Sequence, residues 1–111
     1  MNNYKKLFDN EVEVKLKELR DWKIENGKLC KSFEFKNFTQ AFGFITKIAL
    51  ESEKLDHHPE LFNVFNKVNI SLSTHKINGL SEYDFILAKK IEYNLKGDHK
   101  KNVFYSNQEV Q

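Results

Sequence analysis

The sequence is poor in the residues that cross-link a fold and in those that interrupt one. Its one cysteine, Cys30, excludes a disulfide within the chain, so the fold rests on packing, as in proteins of a reducing compartment. One proline and four glycines leave few breaks, and these are the first places to look for element boundaries. No apolar run approaches the roughly 18 residues that a membrane span needs.

The charges nearly balance, since 18 Lys and Arg stand against 16 Asp and Glu for a formal net charge of +2. The basic residues are scattered, so charge favours neither nucleic-acid nor membrane binding. A length of 111 residues suits one domain, which we place at residues 1–96, followed by a polar tail at 97–111 in which 103–105 could add a strand. Without a signal-peptide core, we expect a cytoplasmic protein that is small enough to diffuse into a nucleus.

Apolar spacing predicts a helix over residues 9–20 with Asp9 as its N-cap. Residues 22–25 and 29–35 alternate on either side of Asn26-Gly27, which predicts a hairpin with a type I′ turn. A long helix then begins at Asn37, with Gln40 as its capping-box partner. It ends at residues 56–58, because Pro59 cannot continue it.

The long helix carries two sets of apolar residues. Its predicted buried stripe consists of Phe38, Ala41, Phe42, Ile45, Ile48, Ala49 and Leu55. Phe44 and Leu50 lie off that stripe, as large side chains do at a subunit contact, although plain surface positions are the simpler alternative.

A second hairpin is predicted over residues 62–65 and 68–73, with Asn66-Lys67 as its turn. Ser81 and Asp84 have the spacing of a capping box for a third helix. The predicted buried face of that helix is Tyr83, Leu87, Ala88, Ile91 and Leu95. The order α-β-β-α-β-β-α predicts an α+β two-layer sandwich, a four-stranded antiparallel sheet with its helices packed on one face.

Histidines fall where elements end: His57 and His58 at the close of the long helix, His75 at the end of a strand. Glu53 precedes His57 by four residues, so the two can meet on one helical face, where a carboxylate orients an imidazole. Imidazoles gathered at one place suit proton transfer near neutral pH. A polar helix end is the alternative without chemistry.

A zinc site of Glu53, His57 and His75 is a further alternative, disfavoured because zinc motifs show tightly spaced ligand pairs and no second cysteine is present. On spacing alone, Asp84 is a helix cap. A Ser73–His75 nucleophilic pair is not expected, and the chain has neither a glycine-rich phosphate loop nor a Gly-x-Ser-x-Gly motif.

Taken together, these residues carry a resemblance to a known family. Glu53-x-x-x-His57-His58-Pro59 is followed by an aromatic residue at 65, by His75 and by Asp84. This pattern resembles the pterin-4a-carbinolamine dehydratases, and the match extends through residues 33–38, 41–44, 53–60, 62–64, 72–75 and 79–82. Leu61 and Phe65 stand where relatives often have Trp and Tyr.

The resemblance implies an enzyme that dehydrates 4a-hydroxytetrahydrobiopterin to the quinonoid dihydropterin, with no metal and no cofactor. It implies four catalytic residues, His57, His58, His75 and Glu53. His57 and His75 would be the acid and base, His58 would hold the pterin and assist proton removal, and Glu53 would orient an imidazole and raise its basicity. It further implies that the pterin edge binds to Asp56, Ser73 and Thr74, and that Asp84 and Phe65 support the site.

The resemblance also implies partners. Family members form homodimers through their sheets and homotetramers through their long helices, and animal relatives act as dimerisation cofactors of a homeodomain transcription factor without reading DNA. A non-catalytic role of that kind is therefore the alternative function. In the family, dehydration recycles the tetrahydrobiopterin that aromatic amino acid hydroxylases leave as the 4a-hydroxy form. A third alternative is therefore a pterin enzyme of another pathway, in a source without such a hydroxylase.

Overall fold

The computed structural model describes the backbone of residues 4–99 and the side chains of residues 4–95. The helices and strands follow the predicted order: α1 (Asp9–Leu16), β1 (Lys23–Glu25), β2 (Lys28–Glu34), α2 (Phe38–Leu55), β3 (Glu60–Val64), β4 (Lys67–Leu72) and α3 (Glu82–His99). A 3₁₀ turn, His75–Ile77, lies between β4 and α3. None of the described helices combines the length and the apolarity needed to cross a membrane.

The strands form one antiparallel sheet in the order β1-β2-β4-β3. Asn26 and Gly27 have φ angles of 54° and 75°, which confirms the predicted turn of the first hairpin. Leu29 pairs with Leu72 across the two central strands, and the apolar residues of both strands point to the same side. The helices cover that side, which confirms the predicted α+β sandwich.

The core lies between the sheet and the two long helices. Phe33 of β2 and Phe44 of α2 meet there with ring centroids 5.1 Å apart, and burial of each ring contributes about 2–3 kcal/mol. The side chains below 2% exposure include Phe33, Phe44, Phe85, Leu29, Ile48, Ile70, Leu72, Leu87, Ile91 and Val68. The core holds the ends of α2, β4 and α3 in fixed positions.

The predicted buried stripe of α2 was wrong in part. Phe44, expected at the surface, is only 2% exposed, whereas Phe38 and Phe42 are 49% and 52% exposed and pack against each other. The face that meets the sheet is instead Ala41, Phe44, Ile48 and Ser52, and Ala49 is exposed. Two apolar stripes run side by side on this helix, and only the tertiary fold decides which one is buried.

Three local predictions were also wrong. Phe8, not Asp9, is the N-cap of α1, and its backbone N–H donates to the Glu11 carboxylate at 2.8 Å. The same helix ends at Leu16 rather than at residue 20. The second hairpin turns at residues 65–66, one position earlier than predicted, because Phe65 takes a left-handed φ of 52°.

The third helix begins as predicted, with Ser81 as its N-cap. The Ser81 N–H donates to the Asp84 carboxylate at 3.0 Å, and the Ser81 hydroxyl accepts from the Tyr83 N–H at 3.2 Å. Leu87, Ala88, Ile91 and Leu95 are buried as predicted, Tyr83 is half-buried, and Phe85 is buried although it was not predicted. The helix continues through residues 97–99, and the candidate strand at 103–105 lies outside the described residues.

Candidate functional site

A cavity of about 190 Å³ opens where the end of α2 meets the end of β4. Its walls are Tyr4, Asp56, His57, His58, Ser73, Thr74, His75 and Lys76. All six residues predicted to bind substrate line it. The volume is below the range of about 300–1,000 Å³ that drug-sized ligands occupy, so a small molecule suits it better.

The end of α2 places two adjacent histidines in different surroundings. Asp56 adopts the left-handed conformation, with φ 56° and ψ 44°, and the His57 N–H closes the helix on the Ser52 carbonyl at 3.0 Å. The chain therefore leaves the helical path before His57. As a result, His57 is buried with 7% exposure, whereas His58 is exposed.

This ending overturns the predicted contact between Glu53 and His57. The four-residue spacing brings side chains together only while the helix continues, and α2 ends at Leu55. Glu53 instead contacts His58, with Oε2 at 2.6 Å from Nε2. Both of these side chains are more than half exposed, so the pair orients the His58 ring and adds little to stability.

The partner of His57 is Asp84, 27 residues along the chain and completely buried. His57 Nε2 lies 2.7 Å from Asp84 Oδ1. The other carboxylate oxygen, Oδ2, accepts from the Thr74 hydroxyl at 2.8 Å and from the Ser81 N–H at 3.0 Å. One buried carboxylate thus joins the end of α2, the end of β4 and the start of α3.

The hydrogen bonds around Asp84 form a consistent set. Because the Thr74 hydroxyl donates to Asp84, the Ser81 hydroxyl, 2.7 Å away, is the donor to Thr74. The Asp84 carboxylate accepts from every neighbour, so His57 Nε2 carries a proton and donates it. In a neutral imidazole this leaves His57 Nδ1 with a free lone pair, the arrangement of a base.

His75 reaches the cavity from the loop after β4, whereas His57 and His58 reach it from the end of α2. It is the first residue of the 3₁₀ turn that follows β4 and is exposed. A bridge between Thr74 and Gly79 closes this loop, with the Thr74 N–H donating to the Gly79 carbonyl at 2.8 Å. The loop therefore presents His75 at the cavity while Thr74 points inward to Asp84.

The other predicted site residues differ in their placement. Glu53 and Asp84 stand behind the cavity and act on it through His58 and His57. Ser73 and Asp56 line the wall, and Thr74 lines it with a hydroxyl that Asp84 already engages. Phe65 is not brought to the cavity: it is 63% exposed in the turn at the opposite end of β4.

Sequence reasoning missed Tyr4, Lys76 and the hydroxyl of Ser81 as parts of the site. Tyr4 lies outside every periodic segment, so no pattern marks it. Lys76 follows His75 and reads as an ordinary surface lysine. The spacing to Asp84 identifies Ser81 as a helix cap, and only the tertiary contact with Thr74 adds the second role.

The zinc alternative gains no support. Among the side chains of residues 4–95, no three of His, Cys, Asp or Glu are grouped closely enough to hold a metal ion. Two of the three candidate ligands have other partners, since His57 pairs with Asp84 and Glu53 pairs with His58.

Comparisons with known proteins point to one family. The family model for pterin 4 alpha carbinolamine dehydratase matches residues 5–93. A curated protein of Rhizobium johnstonii, provisionally named a pterin-4-alpha-carbinolamine dehydratase, is 49% identical over 83 residues, 73% of this chain and 82% of the relative. One of Solibacter usitatus with the same provisional name is 44% identical over 87 residues, 78% of this chain and 92% of the relative.

A solved structure agrees with these relatives. The crystal structure of a transcriptional coactivator/pterin dehydratase from Brucella melitensis is similar to this chain with a TM-score of 0.77 at 42% identity. The similarity covers 80% of this chain and 97% of the Brucella chain.

Proposed function

The chain belongs to the pterin-4a-carbinolamine dehydratase family, and from that premise we propose that it removes water from 4a-hydroxytetrahydrobiopterin to give quinonoid dihydrobiopterin. In this reaction the hydroxyl on carbon 4a gains a proton and leaves as water. The adjacent ring nitrogen loses its proton as the carbon–nitrogen double bond forms. The reaction therefore needs one acid and one base that flank a flat bicyclic ring.

The observation that carries the proposal is the pairing of His57 with the buried Asp84 at the wall of the cavity. With Nε2 donating to Asp84, Nδ1 is the nitrogen available to take the proton from the pterin ring. The carboxylate then faces the imidazolium that forms and stabilises its charge. Proton transfer by such a positioned group typically contributes about 10²- to 10⁴-fold in rate.

The acid that protonates the departing hydroxyl comes from the exposed imidazoles. His75 approaches from the loop after β4, across the cavity from the end of α2, and is our choice for this role. We assign His58, which contacts Glu53, to binding the pterin edge together with Asp56 and Ser73, since all three line the cavity. Both proton transfers use side chains of this chain alone, so the proposed reaction requires no metal and no cofactor.

The test mixes the purified protein with freshly generated 4a-hydroxytetrahydrobiopterin and follows the quinonoid product by absorbance. We expect His57→Asn and His75→Asn each to lower kcat by about 10²-fold or more. Glu25→Gln, a change in the hairpin away from the cavity, is the control and should match the unmodified protein. A rate equal to buffer for the unmodified protein, or full activity in both histidine variants, would contradict the proposal.

We also propose that the protein assembles with further copies of itself. β3 is an edge strand, and Phe62 and Val64 on it are 63% and 55% exposed, which fits the joining of two sheets. Phe38, Phe42 and Leu50 on α2 are 49–60% exposed and fit helix-to-helix contact. Light scattering should report a dimer or a tetramer, and Phe62→Glu should lower the mass where β3 is the contact.

The same α2 residues favour a second candidate function, a non-catalytic cofactor of a transcription regulator. The Brucella protein is described as a transcriptional coactivator as well as a pterin dehydratase, and an exposed apolar helix face suits a helical partner. Co-purification of a regulator from the native source, lost in Leu50→Glu, would support this candidate. Full dehydratase activity with no bound regulator would favour the enzyme alone.

A further inference from the structure

The chain segment before α1 is fixed against the loop that leads into α3. The Leu7 N–H donates to the Leu80 carbonyl at 2.8 Å. The Lys6 side chain crosses Gly79 so closely that a Cβ added there would stand 2.6 Å from Lys6 Cε. These two contacts bring the segment alongside the His75 loop and direct residue 4 towards the cavity.

Tyr4 lies at the cavity wall beside the buried histidine. Its ring centroid is 6.4 Å from that of His57 and 5.2 Å from that of Tyr83, with the two tyrosines edge to face at 71°. The Lys76 ammonium stands 5.8 Å from the same ring centroid. The ring is thus held on two sides by aromatic neighbours and is half-buried.

We propose that Tyr4 is a substrate-binding residue that supplies the aromatic wall of the pterin site. This inference rests on the proposed function. A fused pyrimidine–pyrazine ring has two flat π faces, and aromatic side chains bind such faces by offset stacking or edge contact. The other residues of the cavity wall are Asp, His, Ser, Thr and Lys, whose polar groups suit the hydrogen-bonding edges of such a ring. Tyr4 precedes the stretch that the family model matches, which begins at residue 5.

The expected signature is a loss of binding without a loss of chemistry. Tyr4→Ala removes the wall and should raise KM about 2- to 10-fold, the worth of one aromatic contact, with kcat within about twofold. Tyr4→Phe keeps the ring and should stay within about twofold in KM. Tyr93→Ala, at a tyrosine that is 76% exposed on α3, is the matched control and should leave both constants unchanged.

A binding measurement separates this inference from the proposed function. Equilibrium titration with 7,8-dihydrobiopterin, a stable pterin without the 4a-hydroxyl, should show the same 2- to 10-fold weakening in Tyr4→Ala and none in Tyr93→Ala. The titration needs no turnover, so it tests Tyr4 even where the unmodified protein lacks dehydratase activity. Equal affinity of Tyr4→Ala and the unmodified protein overturns the inference, as does a fall in kcat at constant KM. Equal weakening in Tyr4→Phe also overturns it, since the hydroxyl rather than the ring would then be responsible.

Discussion

Replacement of Asp84 by Asn is the sharpest test of how His57 is arranged. The Thr74 hydroxyl and the Ser81 N–H both donate to Oδ2, so the amide oxygen of Asn takes that position and its NH₂ group faces His57. An NH₂ group can only donate, and His57 Nε2 must then become the acceptor. The imidazole proton moves to Nδ1, the nitrogen that we assign as the base. The variant keeps the shape of the site and inverts the imidazole tautomer.

Asp84→Asn should affect stability modestly and the dehydratase rate strongly. Loss of one hydrogen bond to a carboxylate costs about 1.5–3 kcal/mol, and the new amide–imidazole hydrogen bond returns about 1 kcal/mol. We therefore expect Asp84→Asn to lower the free energy of unfolding by about 0.5–2 kcal/mol and Tm by about 2–10 °C. The value of kcat/KM should fall by about 10²- to 10⁴-fold, because the base no longer has its lone pair.

The assay pairs thermal unfolding with the dehydratase rate, and ¹⁵N shifts of the His57 ring report the tautomer. Asn37→Ala is the control: it removes the N-cap at the other end of α2 for about 1 kcal/mol and leaves the 2.7 Å contact between His57 and Asp84 in place. Asp84→Ala leaves three hydrogen-bond donors without an acceptor and should lower the free energy of unfolding by about 3–5 kcal/mol. Activity of Asp84→Asn within about threefold of the unmodified protein, at the expected Tm, would refute the tautomer argument.

Three further predictions concern stability and ionisation. Gly27→Ala should lower the free energy of unfolding by about 1 kcal/mol, because Gly27 has a φ of 75°. Gly43→Ala, in α2 with open space around it, should raise the free energy of unfolding by about 0.5–1 kcal/mol. Urea unfolding measures both changes. Glu92→Ala should cost about 3 kcal/mol, because Glu92 accepts from Trp22 and from the largely buried Lys31 ammonium, and Glu92→Gln should cost less. The hydrogen bond and the charge of Lys89 lower the pKa of Glu18, so NMR should show this pKa rising in Lys89→Met. Because the pKa of Glu18 is lowered in the folded state, the pair stabilises the fold at pH values above the ordinary pKa. This stabilisation is lost as the pH falls through the folded-state pKa.

Local sequence patterns predicted most of the fold. The Asn26-Gly27 turn, the Asn37 cap of α2 and the Ser81 cap of α3 are signals within four residues, and the structure confirms each. The buried face of α2 could not be predicted in the same way. Phe42 and Phe44 are equally apolar neighbours, and the packing of the sheet alone decides that Phe44 is buried.

The site shows the same division between local and tertiary information. Pro59 predicted the end of α2 to within a few residues, and the spacing of the elements predicted that His57, His58 and His75 lie near element ends. The structure brings all three to one cavity. Pro59 did not identify Asp56 as the left-handed residue. Had the helix continued one more turn, His57 would have met Glu53 on one helical face, as the spacing predicted.

The left-handed turn at Asp56 gives the two adjacent histidines opposite partners. It directs His57 inward to a carboxylate with no exposure and leaves His58 outside with Glu53, which is 76% exposed. Carboxylate–imidazole pairs in such different surroundings cannot be equivalent. A buried pair holds one tautomer, whereas water competes for the hydrogen bonds of an exposed pair. Proton removal needs a fixed nitrogen with its lone pair aimed at the substrate. Our assignment of proton removal to His57 rests on that requirement, and it ties the proposed chemistry to the left-handed backbone conformation of Asp56, which separates His57 from His58.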